Sequence, residues 1–545
     1  MRRRQFNRLL AGAAFGAAAF PLQPDNRPNI VFLLTDDQRR DSLGCYGNPE
    51  VRTPRIDQLA AGGVLFENAF VTSAICTPSR ACYFLGQYEH RHGVNFNSGT
   101  ALSPAAWANS YPMLLRNAGY FTGYIGKNHV PVGARGYETG VIEKSFDFWY
   151  AGHQHLTFYP KSRHPIFRQA KADTQPEVLG EGALSFLDPH GAFIGGAAAF
   201  LRQRPEGKPF CLSIAFNLPH RAGTGTMKQL PSDPELYRTA YRDKIVQYRL
   251  ASNYAPKAEI RKPRLPEDVL YARYRQHSYD YVDSEAGVRE HHVRCYQTIT
   301  GIDSVLGAIQ DQLRKLGLDR NTVIVFASDH GIMDGEYGLG GKALNYEPCL
   351  RIPMIVMDPR LPSSRRGKRL GELAQSIDIA PTLLDLAGVP IPSTMQGRSL
   401  KPLLAGAKTR WREYAFAENL WSTVFGNPRV ESVRSAEWKY IRYFPTDRAL
   451  FSGGDDYGVT PEQARAYQTW LTASVRGLKP AYEELFHVAA DPDETVNLAA
   501  DPQRRDTLAR MRRECDRLVR EAKGDLDSPP RTLPLPRSGK PTVAD

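Results

Sequence analysis

The sequence predicts an α/β fold in which short, fully buried strands form a sheet covered on both faces by helices. Three features carry this expectation. Four runs are apolar without alternation, the pattern of strands buried on both faces of a mainly parallel sheet. Each run is followed at once by charged, amide or imidazole side chains. Between the runs lie apolar residues with helical rather than twofold periodicity.

Taken in order, the first strand is Ile30-Val31-Phe32-Leu33-Leu34, which delivers Thr35-Asp36-Asp37-Gln38. A weaker strand spans 121–125 and ends in Gly126-Lys127-Asn128-His129. A third spans 210–216 and ends in Asn217-Leu218-Pro219-His220. The fourth, Val323-Ile324-Val325-Phe326-Ala327, ends in Ser328-Asp329-His330-Gly331. Ligands of open α/β sheets bind outside the carboxyl ends of the strands, so four such ends are expected to build one site. Ile299, Ile302, Val305, Leu306, Ile309, Leu313 and Leu316 recur at helical spacing, and Gly317 is a natural stop. Residues 151–295, rich in Arg, His, Tyr and Pro, read as irregular loops near the site mouth. Past Pro402-Leu403-Leu404-Ala405-Gly406 the texture changes, and 430–433 and 439–443 read as paired strands around Ser435-Ala436-Glu437. Leu508, Met511, Cys515, Leu518 and Ala522 mark a late amphipathic helix, and from about Ser528 the chain is Pro-rich. The expected organisation is an export signal over 1–22, a catalytic α/β domain over 27–408, a C-terminal subdomain over 409–527 and a tail over 528–545.

Composition narrows the class. With 545 residues, 42% hydrophobic, 23% charged and 10% aromatic, the chain suits a folded protein of more than one domain, not a collagen-like, coiled-coil or wholly disordered one. A formal charge of +12 suits an anionic partner. No recognisable nucleic-acid module accompanies that charge, and no stretch reaches the roughly 20 apolar residues of a membrane span. Neither nucleic-acid binding nor stable membrane insertion is therefore expected. Arg2, Arg3, Arg4 and Arg8 precede an uncharged run from Leu9 to Phe20, too short to cross a bilayer, which reads as an export signal. Arg3-Arg4-Gln5-Phe6 is similar to the twin-arginine pattern, and the mature protein is expected in a periplasm or outside the cell. The seven cysteines are sparse and lack CxxC spacing, which indicates neither a disulfide framework nor a structural zinc site.

Cys76-Thr77-Pro78-Ser79-Arg80 is the sharpest local signal. Pro78 suits the first turn of a helix that Ala81-Cys82-Tyr83-Phe84-Leu85 can continue, which sets Cys76 at a helix N-terminus, where free N–H groups favour anions. From the residues alone this is either an activated sulfur beside an arginine or a buried cysteine before an ordinary helix.

The pentapeptide resembles the C-x-P-S-R signature of the type I sulfatases, whose cysteine is oxidised to formylglycine. Thr35-Asp36-Asp37-Gln38, Leu43-Gly44-Cys45-Tyr46-Gly47, Gly126-Lys127-Asn128-His129, Ser328-Asp329-His330-Gly331 and Gly341-Lys342 follow the family's order. Glu484-Leu485-Phe486 and Asp491-Pro492-Asp493-Glu494 with Asn497-Leu498 look like its closing segment. The resemblance implies an alkaline-phosphatase-like fold: a large mixed sheet flanked by helices, with a smaller C-terminal α+β domain carrying a four-stranded antiparallel sheet.

It also implies roles. Asp36, Asp37, Asp329 and His330 would hold one calcium ion together with modified residue 76, though many family members carry Asn where His330 stands. The hydrated aldehyde at position 76 would attack sulfur, with the metal and Arg80 stabilising its anionic form, and the sulfated hemiacetal would collapse to aldehyde and free sulfate. Lys127 and His129 would contact the modified residue, while His220 and Lys342 would bind sulfate oxygens and help protonate the leaving oxygen. A formylglycine-generating enzyme is then a required partner in maturation. Asn128 stands where the family often has an aromatic residue, which bears on local packing. The basic surplus and the stretch Tyr271-Ala272-Arg273-Tyr274-Arg275-Gln276-His277 favour a sulfated glycan over aryl or choline sulfates. That stretch reads equally well as a solvated face. The rival activities are a formylglycine-dependent phosphonate or phosphate monoester hydrolase and a non-catalytic polysaccharide-binding platform.

Overall fold

The computed structural model describes residues 27–95, 100–134, 136–153, 189–220, 235–256, 280–420, 429–444, 477–524 and 532–534. Its centre is an eight-stranded sheet built from β1 (Asn29–Asp36), β2 (Val64–Phe70), β3 (Phe121–Asn128), β4 (Phe148–His153), β5 (Phe210–Pro219), β6 (Thr322–Ser328), β7 (Met354–Met357) and β8 (Lys368–Gln375). The strand order is β8-β2-β7-β6-β1-β5-β3-β4. β7 runs antiparallel to both of its neighbours and the other pairs are parallel, so the sheet is mixed. The four strands expected from apolar runs are β1, β3, β5 and β6, adjacent in the sheet and mutually parallel. Their carboxyl ends therefore lie side by side.

Strand side chains alternate between two faces, and both faces are buried. Ile30, Phe32 and Leu34 of β1 join one apolar cluster while Val31 and Leu33 join another. The second cluster is closed by three helices, α1 (Pro54–Gly62), α3 (Pro189–Gln203) and α4 (Glu285–Lys315), through Ile56, Phe193, Phe200, Ile299, Ile302, Val305 and Leu306. The first is closed by α2 (Cys76–Leu85) and α5 (Ile379–Leu386), through Ala81, Tyr83, Phe84, Leu383 and Leu384. Each fully buried large apolar side chain contributes about 1.5–3 kcal/mol relative to exposure. That burial on both faces is why the strands tolerate continuous apolar sequence.

A second sheet, of four antiparallel strands, is ordered β9 (Ala415–Asn419), β10 (Arg429–Arg434), β11 (Lys439–Phe444) and β12 (Tyr482–Phe486). One face, through Ala415, Ala417, Val430, Ile441 and Phe486, joins the first apolar cluster of the large sheet. The other, through Phe416, Val433, Tyr440 and Leu485, packs on α6 (Arg505–Lys523) by Leu508, Met511, Cys515, Leu518 and Ala522. The paired strands around Ser435-Ala436-Glu437 and the late amphipathic helix are as the sequence indicates.

Two expectations need correction. Residues 151–295 are not uniformly irregular: besides the expected strand at 210–216, β4 ends there at His153, α3 covers 189–203, and α4 begins at Glu285, well before Ile299. The early turns of α4 bury His291, Arg294 and Gln297, polar residues whose burial no apolar periodicity reveals. The end of α4 is as expected, with Gly317 at φ +66° and Leu318 N donating to the Leu313 carbonyl. The leader at 1–22, the basic aromatic stretch at 271–277 and nearly all of the tail lie outside the described residues. Of the tail, Thr532–Pro534 pairs antiparallel with Thr100–Leu102. No helix among the described residues is long and apolar enough to cross a membrane. None of the seven cysteines forms a disulfide.

Candidate active site

The expected residues converge at the carboxyl edge of β1, β3, β5 and β6. Asp36 ends β1 and Asp37 follows in the left-handed region at φ +61°, a backbone state that costs a non-glycine residue roughly 1–3 kcal/mol. Asp329 and His330 lie directly beyond β6, Lys127 lies within β3, and His220 follows β5. Cys76 opens α2, whose ten residues are all buried.

Arg80 is the hub. Its Nη2 donates to Asp36 Oδ2 at 2.9 Å and to the Phe216 carbonyl at 3.1 Å, its Nε to Asp329 Oδ2 at 2.9 Å, and its Nη1 to the Lys127 carbonyl at 3.2 Å. One guanidinium thus ties β1, β3, β5 and the turn after β6 together. Lys127 Nζ donates to the same Asp36 oxygen at 2.6 Å. The other Asp36 oxygen lies 3.6 Å from Cys76 Sγ. Lys342 Nζ stands 2.8 Å from Cys76 Sγ and 2.9 Å from Asp37 Oδ1. His330 places Nε2 3.3 Å from the sulfur and Nδ1 3.1 Å from Asp37 Oδ1. His220 Nε2 approaches Asp37 Oδ2 at 3.6 Å, and His129 is fully buried directly past β3.

Ligand atoms of Asp36, Asp37, Cys76 and His330 all lie within 4.8 Å of one another, the arrangement of a cation site. Asp329, expected in the same set, stands beside it: Oδ2 is taken by Arg80, while Oδ1 accepts from the Asp37 backbone N–H at 3.2 Å and lies 3.6 Å from His330 Nε2.

Electrostatics follow from burial. Burial alone would raise the Asp36 carboxyl, but Lys127, Arg80, His220 and Lys342 hold it well below the usual range. Burial, and then the Lys342 ammonium, push His330 down to about 3. Burial together with Asp36 pushes the Cys76 thiol far up, so as cysteine the residue is a neutral thiol at working pH. A buried neutral thiol is a poor nucleophile.

Several supporting residues carry no motif. Asn419, at the end of β9, accepts through Oδ1 from the Ala74 N–H at 2.8 Å and donates to Asn345 Oδ1 at 2.6 Å; the Ala343 N–H donates to the Ala74 carbonyl at 3.0 Å. The small sheet thereby ties together the loops bearing Cys76 and Lys342. Asn128, at a position the family often fills with an aromatic, instead sits 2.8 Å from His153 Nδ1, and His153 Nε2 lies 2.7 Å from Glu143. Aromatic packing comes from Trp149 and Tyr137 against the His153 ring. Only spatial proximity reveals Asn345, Asn419, Glu143 and His153.

Comparison with known proteins agrees with this geometry. The Sulfatase family profile matches residues 28–389, and a profile described as N-sulphoglucosamine sulphohydrolase, C-terminal, matches 335–452. An N-acetylglucosamine-6-O-sulfatase of Bacteroides thetaiotaomicron is 27% identical, covering 80% of this chain and 82% of its own. Human N-sulphoglucosamine sulphohydrolase is also 27% identical, covering 89% and 88%. In structure, a phosphonate monoester hydrolase from Silicibacter pomeroyi aligns with TM-score 0.68 at 21% identity, covering 92% of this chain and 96% of its own, a likeness of fold. With Cys76, the acidic strand ends and the buried cations assembled at one edge of the sheet, the chain belongs to the sulfatase family and is a sulfuric ester hydrolase.

Proposed function

We propose that this chain releases inorganic sulfate from a sulfated carbohydrate, with residue 76 present as formylglycine beside one bound calcium ion. The observation that carries the reading is the convergence of Asp36, Asp37, Cys76 and His330 within 4.8 Å, with Lys342 against the sulfur. The donor set fits a divalent cation: Asp37 Oδ2 is buried without a hydrogen bond inside the protein, an acceptor awaiting a positive partner. Cys76 Sγ stands for the oxygen of the modified residue. With oxygen there, the set becomes carboxylate-rich and hard, suited to calcium, with the His330 imidazole as its one nitrogen. Asp36, Asp37, His330 and residue 76 would hold the ion, and Asp329 would stand at its edge. When bound, the ion supplies a fixed positive charge that stabilises negative charge developing on oxygen.

The chain's own residues do the rest. Asp36, Asp37 and Asp329 are balanced by Arg80, Lys127 and Lys342, all buried. A dication added to that balanced set leaves the pocket positive, as an anionic ester requires. Lys127 and Arg80 keep Asp36 ionised. Lys342, against position 76 and Asp37, is placed to bind a sulfate oxygen, and His220 to donate a proton to the leaving oxygen. His129 is buried at the end of β3, where it can receive the proton that residue 76 must lose.

Two relatives are named for sulfated glucosamines, and the basic surplus of the chain favours an anionic polymer as the source of substrate. Residues 1–22 are read as an export leader ahead of units at 27–408 and 409–527, which puts the activity in a periplasm or outside the cell. Maturation by a formylglycine-generating enzyme is part of this reading.

The test is a sulfate-release screen over sulfated mono- and oligosaccharides, with aryl sulfate and phosphonate monoester controls. Sulfate release from a sugar and a residue 76 lighter than cysteine in peptide mass spectra are expected. Turnover of the phosphonate ester alone would replace the sulfatase reading with the rival hydrolase.

A further inference from the structure

Lys342 is carried by an irregular loop. It follows a short hairpin in which Met333–Asp334 pairs antiparallel with Gly340–Gly341, and residues 342–346 belong to no helix or strand. Asp334 of that hairpin lines a cavity of about 270 Å3 that also reaches Asp37, so packing is incomplete along one side of it. Ala343, directly after Lys342, stands at φ +70°, in the left-handed region. A residue with a Cβ persists there only where its surroundings over-determine the backbone. Residue 76 is anchored differently. It opens α2, which Arg80 ties to Asp36 and Asp329 and which Ser79 Oγ, donating to the Asp329 carbonyl, holds to the turn after β6.

Two facing amides, Asn345 on this loop and Asn419 at the end of β9, supply that constraint. Asn345 Nδ2 donates to the Ala417 carbonyl at 3.0 Å and to Ser432 Oγ at 2.9 Å, which clamps the loop to β9 and β10. Its Oδ1 accepts from Asn419 Nδ2 at 2.6 Å. Asn419 Oδ1 in turn accepts from the Ala74 N–H at 2.8 Å and from Ser73 Oγ at 3.1 Å. One residue earlier, the Glu418 N–H donates to the Thr72 carbonyl at 2.9 Å. The Asn419 side chain thus extends by one step a backbone pairing between β9 and the segment leading to position 76. The Ala343 N–H closes the circuit on the Ala74 carbonyl at 3.0 Å. Both amides are buried. A buried amide whose nitrogen and oxygen are both paired holds one geometry, because each lost partner leaves a costly orphan.

We propose that Asn345 and Asn419 are positioning residues for sulfate release, holding Lys342 at its 2.8 Å separation from position 76. The inference rests on the role given to Lys342 above. A lysine is a point charge on a flexible stem, so its worth as a preorganised donor depends on the backbone that carries it. Without the bond between the two amides, Ala343 is free to relax from φ +70°, and the backbone of Lys342 turns with it. A displacement of about 1 Å in a positioned group costs up to about 10²-fold in rate. The small C-terminal sheet thereby contributes to turnover through a strand end that bears no motif residue.

The experiment measures kcat and KM for sulfate release in Asn419→Ala, in Lys342→Met and in the double variant, with folding checked by circular dichroism. The substrate is the ester that wild type turns over best in the screen above. Asn419→Ala alone is expected to lower kcat by about 10- to 10²-fold, with KM changed by less than about threefold. In the Lys342→Met background the same substitution should cost at least about threefold less than in wild type, since independent sites add to within about twofold. Asn345→Ser repeats the cycle if Asn419→Ala does not fold. Losses that match in the two backgrounds to within about threefold, a loss carried by KM alone, or an unchanged kcat overturns the inference and leaves the role of Lys342 standing. If Lys342→Met itself keeps the wild-type kcat, that role fails and the inference with it.

Discussion

Arg80→Leu is the perturbation whose consequence the structure fixes most tightly. The guanidinium is buried and compensates two carboxylates, Asp36 and Asp329, while filling the Lys127 and Phe216 carbonyls. Removing one partner of a buried ion pair costs about 3–5 kcal/mol, because the remaining charge stays buried. Each orphaned carbonyl adds up to about 1–3 kcal/mol. Set against a usual total of about 5–15 kcal/mol, the variant should retain little of its stability. Arg80→Lys keeps the charge but loses the fork, so a smaller loss is expected. The assay is urea unfolding monitored by circular dichroism, in calcium and in chelator, at several pH values. The sign with pH is fixed by Asp36, whose folded pKa is depressed. Its stabilising contribution is present above the ordinary carboxylate value near 3.9 and is lost as pH falls through the lower folded value. The gap between wild type and Arg80→Leu should accordingly narrow in acid. A loss below about 1 kcal/mol at neutral pH, or a gap that widens in acid, would refute the hub assignment.

Further outcomes are expected on the same grounds. Lys342→Met should lower kcat by about 10²–10³-fold with the fold retained, as loss of one preorganised donor does; steady-state kinetics beside circular dichroism would show otherwise. Gly126→Ala should destabilise β3, since its backbone sits at φ +97° and an added Cβ would lie 2.0 Å from the Ala215 carbonyl oxygen; an unchanged melting temperature would contradict the close approach. Burial holds His92 and His330 down to about 3 and His291 to about 4. The unfolded chain therefore binds more protons below about pH 6.5, and the melting temperature should fall on acidification from that value toward pH 4. Calcium at 100 times its dissociation constant should stabilise the protein by about 2.7 kcal/mol, and Asp37→Asn should abolish that shift; calcium-independent melting of wild type would remove the ion from the account.

Much of this site was legible in the sequence because its residues sit at the ends of strands that are apolar throughout. A strand buried on both faces advertises itself without alternation, so β1, β3, β5 and β6 were visible. The polar residues following each were then forced toward a common edge by parallel topology. The strands that escaped notice are those that are short or mixed in polarity: β7 has four residues, β2 reads VLFENAF and β8 opens with Lys-Arg. Their pairing depends on partners distant in sequence, and local pattern holds no trace of it. Likewise α4 hides its first turns because His291, Arg294 and Gln297 are buried by tertiary contacts rather than by apolar character.

The same physical distinction separates the chemistry that was read from the chemistry that was not. Cys76, Arg80, Asp36 and Asp37 announce themselves because they stand in short motifs that resemble those of a known family. The cavity beside them is assembled from Gln38 after β1, from two histidines on α4 and from Asp334 on the hairpin that carries Lys342. None of these is unusual alone. They stand together only once the chain is folded, when Asp334 brings Oδ1 to 3.3 Å from His291 Nε2 and Oδ2 to 3.3 Å from His292 Nε2. The residue types that mark the family are thus written in local sequence, whereas the wall of the neighbouring cavity is set by elements far apart in the chain and leaves no local trace.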